Sequence, residues 1–371
     1  VHRIFLPGAG WRVELIAWHV SPSDQSSGFL SYHTESCYPE DARGGFYKLW
    51  SSKMTNNNPV YQRTLKKSIS CVGVGIHSGK KASITIHPAA ESSGINFLRK
   101  DVPEGRGEIP AAWYSVTETR LSTILGNKYG TTVGTVEHLL AALRACGVDN
   151  ALIEIDGPEV PVMDGSAGPF VDLIKQIGTK EQKALRWAIW IKEPIEVRDG
   201  DKFAVMMPYD RTRITVEIDF SDLGVKPQRR SIELQEDTFG RDIAYARTFG
   251  FKSQIDSLKK KGLARGGSLS NAVLVDQGQV VNKDGLRFQD EFVRHKILDC
   301  LGDLALVGLP VFGHYIAYKP GHALNVALIQ RMFSQRSSWA YLPVDKIDQL
   351  LVEDSETEST LTVPQDRASV H

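Results

Sequence analysis

Arg294-His295-Lys296-Ile297-Leu298-Asp299-Cys300-Leu301-Gly302-Asp303 sets His295, Asp299 and Asp303 at four-residue spacing inside an otherwise apolar stretch. On an α-helix, residues four apart share one face. A histidine and two carboxylates on the buried side of a helix are costly unless each is paired or bound to a metal, because desolvating ionisable groups is unfavourable. A bare His-x3-Asp spacing more often marks a solvent-facing helix surface, so the rest of the chain has to decide between the two.

The composition is that of an ordinary globular protein. With 371 residues, 24% charged and 42% hydrophobic, the chain is long enough for about two domains, each with its own core. Lys+Arg and Asp+Glu balance at 44 each, so no global field argues for nucleic acid or an anionic membrane surface, and any anionic ligand must be met by local charge. Cys37, Cys71, Cys146 and Cys300 are scattered without a Cys-x-x-Cys pair, which indicates neither a zinc ribbon nor a disulfide framework and fits a reducing compartment. The most apolar stretch, Leu304 to Tyr318, is broken by Gly308, Pro310, Gly313 and His314. It falls short of the roughly 18 uninterrupted apolar residues of a membrane span, so no stable membrane insertion is expected.

Working outward, the chain shows two cycles of strands followed by a helix. Ser68 to Val74 and Ala82 to Pro88 alternate around the turn Ser78-Gly79-Lys80 and read as a hairpin. A helix follows within Thr135 to Gly147, with Thr135 as the expected N-cap and Gly147 as the stop. Next come a strand over Asn150 to Ile155 and a helix over Pro169 to Ile177, closing a first domain, 62–178. The polar stretch 179–186 reads as a linker. Strands over Ala188 to Ile191, Ile195 to Arg198, Lys202 to Met207 and Arg213 to Phe220 open a second domain, 187–335, which also contains the Arg294 helix and the strand His314 to Tyr318. His138 and His295 each begin a run with Leu or Ile at matched offsets, then a Gly and a strand. If this is a duplicated unit, the fold is α+β: two similar domains, each a sheet layered with helices, the helices packed between the sheets in a sandwich, and a site at the domain interface. Residues 1–61 show no sustained period and read as an unstructured or mis-assigned extension, with the natural start expected at Met54. Residues 336–371 read as a polar tail.

The landmarks then become specific. Thr135-Val136-Glu137-His138-Leu139, Met163-Asp164-Gly165-Ser166-Ala167, Ala246-Arg247-Thr248-Phe249-Gly250-Phe251, Gly266-Gly267-Ser268, His295-Lys296-x-x-Asp299-x-x-Gly302-Asp303 and Ala317-Tyr318-Lys319-x-Gly321-His322-Ala323 resemble, in order and spacing, the UDP-3-O-acyl-N-acetylglucosamine deacetylases of lipid A biosynthesis. The match runs from about Arg63 to Met332. One departure is Pro320, where the family tolerates small residues; it should stiffen the His322 loop without removing a functional group.

The resemblance implies one Zn2+ per chain, bound by His138, His295 and Asp299. Two imidazoles and a carboxylate leave a fourth position open, as a catalytic site requires. The same ligand set also suits Fe2+. Glu137, beside a ligand, would be the general base, and His322 the cationic group that stabilises the oxyanion and then protonates the departing amine. Asp303 would hold His322 protonated, and the Thr248 hydroxyl would donate to the developing oxyanion. Lys296 and Lys319 would face the substrate's diphosphate or sugar hydroxyls, with His77 a weaker candidate for the same nucleotide region. The insertion over about 249–288, with Phe249, Phe251, Ile255, Gly267 and Ser268, would form the acyl-chain passage. Each buried methylene contributes about 0.8 kcal/mol, so tunnel length can select chain length; an ordinary satellite core is the plainer alternative.

These implications amount to a cytoplasmic, monomeric hydrolase from a Gram-negative-type bacterium. It would remove the N-acetyl group of UDP-3-O-(3-hydroxyacyl)-N-acetylglucosamine and bind no nucleic acid. Two rival readings are a related metal amidohydrolase acting on another N-acyl substrate, and a non-catalytic nucleotide-sugar or acyl-chain binding protein. Glu137, His322, Thr248 and Asp303 together count against the latter, since binding alone requires no such set.

Overall fold

Alternation in the first hairpin becomes strand burial. In the computed structural model, which describes residues 59–347 and two short N-terminal strands, β1 (His2–Phe5) pairs antiparallel with β2 (Arg12–Leu15), Ile4 opposite Val13. This hairpin lies within the stretch expected to lack regular structure. Met54 and the residues after 347 lie outside the described residues. The chain divides into two units, Val1–Asn57 and Asn58–His371.

The second unit opens with β3 (Tyr61–Leu65), β4 (Ile69–Val74) and β5 (Lys81–Pro88). On β5, Ala82, Ile84 and Ile86 point inward while their neighbours face out. Next come β6 (Ile95–Arg99) and β7 (Glu108–Pro110), then the small three-stranded sheet β8 (Val116–Glu118), β9 (Ile124–Gly126) and β10 (Thr132–Val133). Helix α1 (Glu137–Ala145) leads to β11 (Ala151–Ile155), which inserts between β5 and β6 and completes a five-stranded sheet in the order β4-β5-β11-β6-β7. Helix α2 (Gly168–Ile177) closes this half.

Strand β12 (Thr179–Leu185) pairs antiparallel with β3. The polar segment 179–186, expected as a free linker, is therefore a strand as far as Leu185. Its side chains alternate between half-buried and exposed, which a two-stranded ribbon with one wet face permits. Strands β13 (Trp187–Ile191), β14 (Ile195–Asp199), β15 (Lys202–Met207), β16 (Thr212–Phe220) and β17 (Val225–Glu233) follow. After the helix α3 (Glu236–Asp242) comes the insertion: β18 (Phe249–Phe251), α4 (Lys252–Lys260), β19 (Val273–Asp276) and β20 (Gln279–Val280). Helix α5 (Glu291–Leu304), β21 (Val311–Tyr318), α6 (His322–Ser334) and β22 (Trp339–Pro343) complete the described chain. Strands β13 to β17, β21 and β22 form a seven-stranded sheet in which β21 pairs with β13, β15 and β16. Residues 336–343 are thus not part of a polar tail: β22 pairs with β13 along its whole length, and Trp339 is buried.

The molecule is mixed α+β, with its helices lying against the sheets. Helix α1 packs on α2 and α5, α5 on α6 and β16, and α6 on β14 and β15. One apolar core runs through both halves, joining Leu139, Leu140 and Leu143 of α1 to Ile297, Leu298 and Leu301 of α5. Each such side chain contributes about 1.5–3 kcal/mol on burial. Thr135 does not cap α1. Its backbone is left-handed (φ 54°) and its hydroxyl donates to Glu159 Oε1 at 2.9 Å, so the helix starts from Val136 with no side-chain cap. Gly147, at φ 68°, does end the helix. Gly302 brings α1 onto α5: a Cβ there would overlap the Glu137 carbonyl oxygen. That close approach sets the start of α1 beside the ionisable face of α5.

Candidate active site

The four-residue series on α5 extends to Glu291, His295, Asp299 and Asp303, all buried. Opposite them, the first turn of α1 supplies Glu137 and His138, also buried. His138 Nε2 lies 3.6 Å and His295 Nε2 3.3 Å from the same Asp299 oxygen, Oδ1. The imidazoles meet edge to face with centroids 5.0 Å apart. These gaps are too long for good hydrogen bonds. They fit atoms sharing a tetrahedral ion at zinc-ligand bond lengths, which stand about 3.4 Å from one another. His295 Nδ1 donates to the Ala246 carbonyl at 3.0 Å, leaving the Nε2 lone pair directed at the other two ligand atoms. Burial pushes the His295 pKa down to about 4, so its imidazole is neutral, as metal binding requires. Burial opposes ionisation of Asp299, but His295 and Lys296 outweigh it and hold its carboxyl well below the ordinary range. Lys296 donates to Asp299 Oδ2 at 2.9 Å, and although burial works the other way, this carboxylate raises its pKa. His138, His295 and Asp299 thus form a convergent three-donor set suited to one divalent ion.

Glu137 and His322 flank this cluster. Desolvation raises the Glu137 pKa, and its Oε1 stands 3.8 Å from His322 Nε2. His322, the first residue of α6, lies with Nδ1 2.8 Å from Asp303 Oδ2. A carboxylate only accepts, so the ring nitrogen donates. Burial alone would depress the imidazolium, but Asp303 and then Glu137 raise its pKa to about 9, leaving it cationic at neutral pH. A cationic imidazole and a carboxylate with raised proton affinity, side by side at a metal-ligand cluster, form an acid-base pair.

The structure also places the remaining expected residues. Thr248 lies two residues beyond the carbonyl that orients His295, and its N–H donates to Gly165 O at 2.7 Å. The close fit of the Met163-Asp164-Gly165-Ser166 turn there needs glycine, since a Cβ on Gly165 (φ 89°) would overlap the Asn271 carbonyl. Phe249 packs edge-on to His295, with centroids 6.1 Å apart, in a cluster with Phe220, Phe251 and Phe292. His77 lies in the β4–β5 loop, where burial lowers its pKa against the opposing pull of Glu159. Its Nδ1 is buried without a hydrogen-bond partner. Arg265 and Gly266 donate backbone N–H groups to the carbonyls of His77 and Ile76, at 3.2 and 3.0 Å, so the insertion docks on the same loop. Within the insertion, α4 has no fully buried residue, Ile255 is half-buried, and Gly267 and Ser268 are exposed. Lys319 stands apart from the acid-base pair's contacts, donating to Asp201 at 2.9 Å with Asp219 at 3.9 Å.

Several supporting residues escaped the sequence reading. Glu291 grips Arg247 through Nε (2.8 Å) and Nη2 (3.1 Å) and accepts the Arg247 N–H at 3.0 Å, clamping the segment that carries Ala246 and Thr248. Its place one turn before His295 was the available signal. Glu159 accepts the N–H groups of His77 and Ser78 at 2.9 and 2.8 Å as well as the Thr135 hydroxyl. Asn325 donates to Asp303 at 2.7 Å and accepts from the Tyr315 hydroxyl at 2.6 Å. Neither was marked by any local pattern.

Comparison with known proteins agrees with this geometry. The family model described as UDP-3-O-acyl N-acetylglycosamine deacetylase matches residues 62–334. A UDP-3-O-acyl-N-acetylglucosamine deacetylase of Myxococcus xanthus is 48% identical over 282 residues, 76% of this chain and 89% of that protein. The protein of the same name from Syntrophus aciditrophicus is 45% identical over 279 residues, covering 75% and 88% of the two chains. That of Shewanella halifaxensis is 44% identical over 289 residues, 77% and 94%.

Proposed function

The chain belongs to the UDP-3-O-acyl-N-acetylglucosamine deacetylase family, and from that premise we propose how its buried cluster carries out the reaction. The enzyme hydrolyses the N-acetyl group of UDP-3-O-(3-hydroxyacyl)-N-acetylglucosamine, giving acetate and the free amine, the committed step of lipid A biosynthesis. His138 and His295 through Nε2, with Asp299, are read as the ligands of one Zn2+; the same donors would accept Fe2+. When bound, the ion supplies Lewis acidity toward the amide carbonyl and toward the attacking water.

The chain's own groups do the rest. Glu137 takes the proton of the attacking water as its oxygen adds to the carbonyl carbon. The Thr248 hydroxyl and the His322 imidazolium stabilise the oxyanion that forms. His322 Nε2 then protonates the amine nitrogen as the C–N bond breaks, and Asp303 holds the ring in place throughout. Lys296 and Lys319, with His77, are assigned to the phosphates and sugar, which requires Lys319 to exchange Asp201 for substrate. The insertion is assigned to the acyl chain, with Phe249, Phe251 and Ile255 along the passage and Gly267 and Ser268 at its turn. An α4 that buries none of its own side chains speaks for a surface completed by ligand over a satellite core. We read the fold as two similar halves, the second running on through β22 to Pro343, with helices between their sheets. Among the described residues no helix is long and apolar enough to cross a membrane. We assign the enzyme to the cytoplasm of a Gram-negative-type bacterium as a monomer.

The observation that carries this reading is the placement of His322, paired with Asp303 at 2.8 Å and 3.8 Å from Glu137, beside three convergent ligand atoms. The test is acetate release from the nucleotide-sugar substrate by the full chain, before chelation, after it, and after Zn2+ readdition. Release that chelation abolishes and Zn2+ restores supports the reading. A folded, Zn2+-loaded protein that binds substrate and releases no acetate would overturn it.

A further inference from the structure

Thr123 lies at the centre of the site, fully buried, and the reaction as described assigns it nothing. Its hydroxyl donates to Asp303 Oδ1 at 2.5 Å, and its backbone N–H donates to Glu137 Oε2 at 3.1 Å. The second Asp303 oxygen is taken by His322 Nδ1 at 2.8 Å and Asn325 Nδ2 at 2.7 Å. Following these contacts round, Thr123, Asp303, His322 and Glu137 form a ring that is closed except at one place. The break is the 3.8 Å separation between His322 Nε2 and Glu137 Oε1.

We propose that Thr123 is a positioning residue that fixes the separation of the catalytic acid and base, holding Asp303 through its hydroxyl and Glu137 through its N–H. The inference rests on the reading of Glu137 and His322 as that pair. The two groups come from different helices, α1 and α6, and Asp303 from a third, α5, so no single element sets their spacing. Thr123 does so because it precedes the short strand β9 and accepts the Val136 N–H, at 3.5 Å, just before α1 begins. A donor on each of the two Asp303 oxygens locks the carboxylate plane, and with it the direction in which His322 presents Nε2. Removing the hydroxyl while keeping the shape leaves Asp303 Oδ1 buried without a donor, and the carboxylate then turns to find one.

The experiment compares T123V, T123S, D303N and the T123V/D303N double variant with the wild-type full chain, reading kcat and KM for acetate release, bound metal, thermal unfolding, and the low-field proton resonance of the His322 Nδ1–H. T123V is expected to bind metal normally and lose about 10- to 100-fold in kcat with little change in KM, as outer-sphere partners of a catalytic group usually do. T123S should recover most of that rate. The T123V/D303N double variant should be no slower than D303N alone, since the hydroxyl acts through Asp303. The low-field resonance should persist in T123S and move or broaden in T123V. A T123V enzyme with wild-type kcat, multiplicative losses in the double variant, an unmoved resonance, or a T123V protein that has lost its fold or metal would each overturn the assignment. The resonance needs no substrate, so it reports on positioning even if the acetate assay rejects the parent reading.

Discussion

At the scale of single residues, the proposed mechanism assigns opposite protonation states to neighbouring groups. Glu137 has its proton affinity raised by burial, yet must be ionised to act as base, so activity is lost as pH falls through its elevated pKa. His322 must be protonated, and its pKa is raised to about 9, so activity is lost as pH rises past about 9. The expected profile of kcat/KM is a bell with its alkaline limb near 9 and its acid limb above the ordinary carboxylate range. An alkaline limb near 6.5 in initial-rate measurements would remove the Asp303–His322 pairing from the mechanism. The roles also separate by substitution. H322A is expected to keep its metal and lose at least 100-fold in kcat, whereas D299A loses the metal itself. Metal analysis alongside turnover checks both, and the reverse pattern would exchange the roles.

At the scale of elements, the decisive contact is α1 against α5. The helix stop at Gly147 and the apolar run of α1 were readable from pattern. Its N-terminus was not, because Thr135 spends its hydroxyl on Glu159 and adopts a left-handed backbone, a choice made by a residue 24 positions away. Gly302 is the residue that lets α5 approach the first turn of α1. A G302A variant is expected to lose about 1–3 kcal/mol of stability, as overpacking of a tight core usually does, and to lose activity as the Glu137 and His138 side chains move from Asp299. Urea unfolding and turnover measured on the same preparation check this. A G302A protein of wild-type stability would mean that the helices are free to separate. The segments 179–186 and 336–343 differ from their expected character for a related reason. Both are polar or mixed enough to read as connectors, but each lies along an existing strand whose backbone groups need partners.

At the scale of the whole molecule, the proposed metal ligands His138, His295 and Asp299 come from α1 and α5, two helices that pack on each other and share one core. Binding of an ion to the native state alone raises stability by mass action, about 2.7 kcal/mol at 100 times Kd. Chelation is therefore expected to lower the Tm of the 58–371 unit in a single cooperative step, which scanning calorimetry reads directly. Two separated transitions, only one of which moves, would show that the halves unfold independently and that the ion does not tie them together.

The sequence by itself pointed to the family and to the residues proposed for its chemistry. His295, Asp299 and Asp303 are legible because ionisable residues recur at helical spacing in an apolar run, a pattern that burial would penalise without function, whereas Glu137, His138 and His322 are legible only through the resemblance of their motifs to one family. It also determined most strand and helix positions, since periodicity is a local property. Tertiary structure alone decided how those groups meet. The shared Asp299 oxygen, the ring through Thr123, the Glu291 clamp on Arg247 and the anchoring of the His77 loop by Glu159 all join residues dozens to hundreds of positions apart. A single threonine or glutamate carries no periodic signal. Its role exists only once the chain has brought a buried donor within reach of a buried acceptor, where an unpaired polar group is too costly to leave.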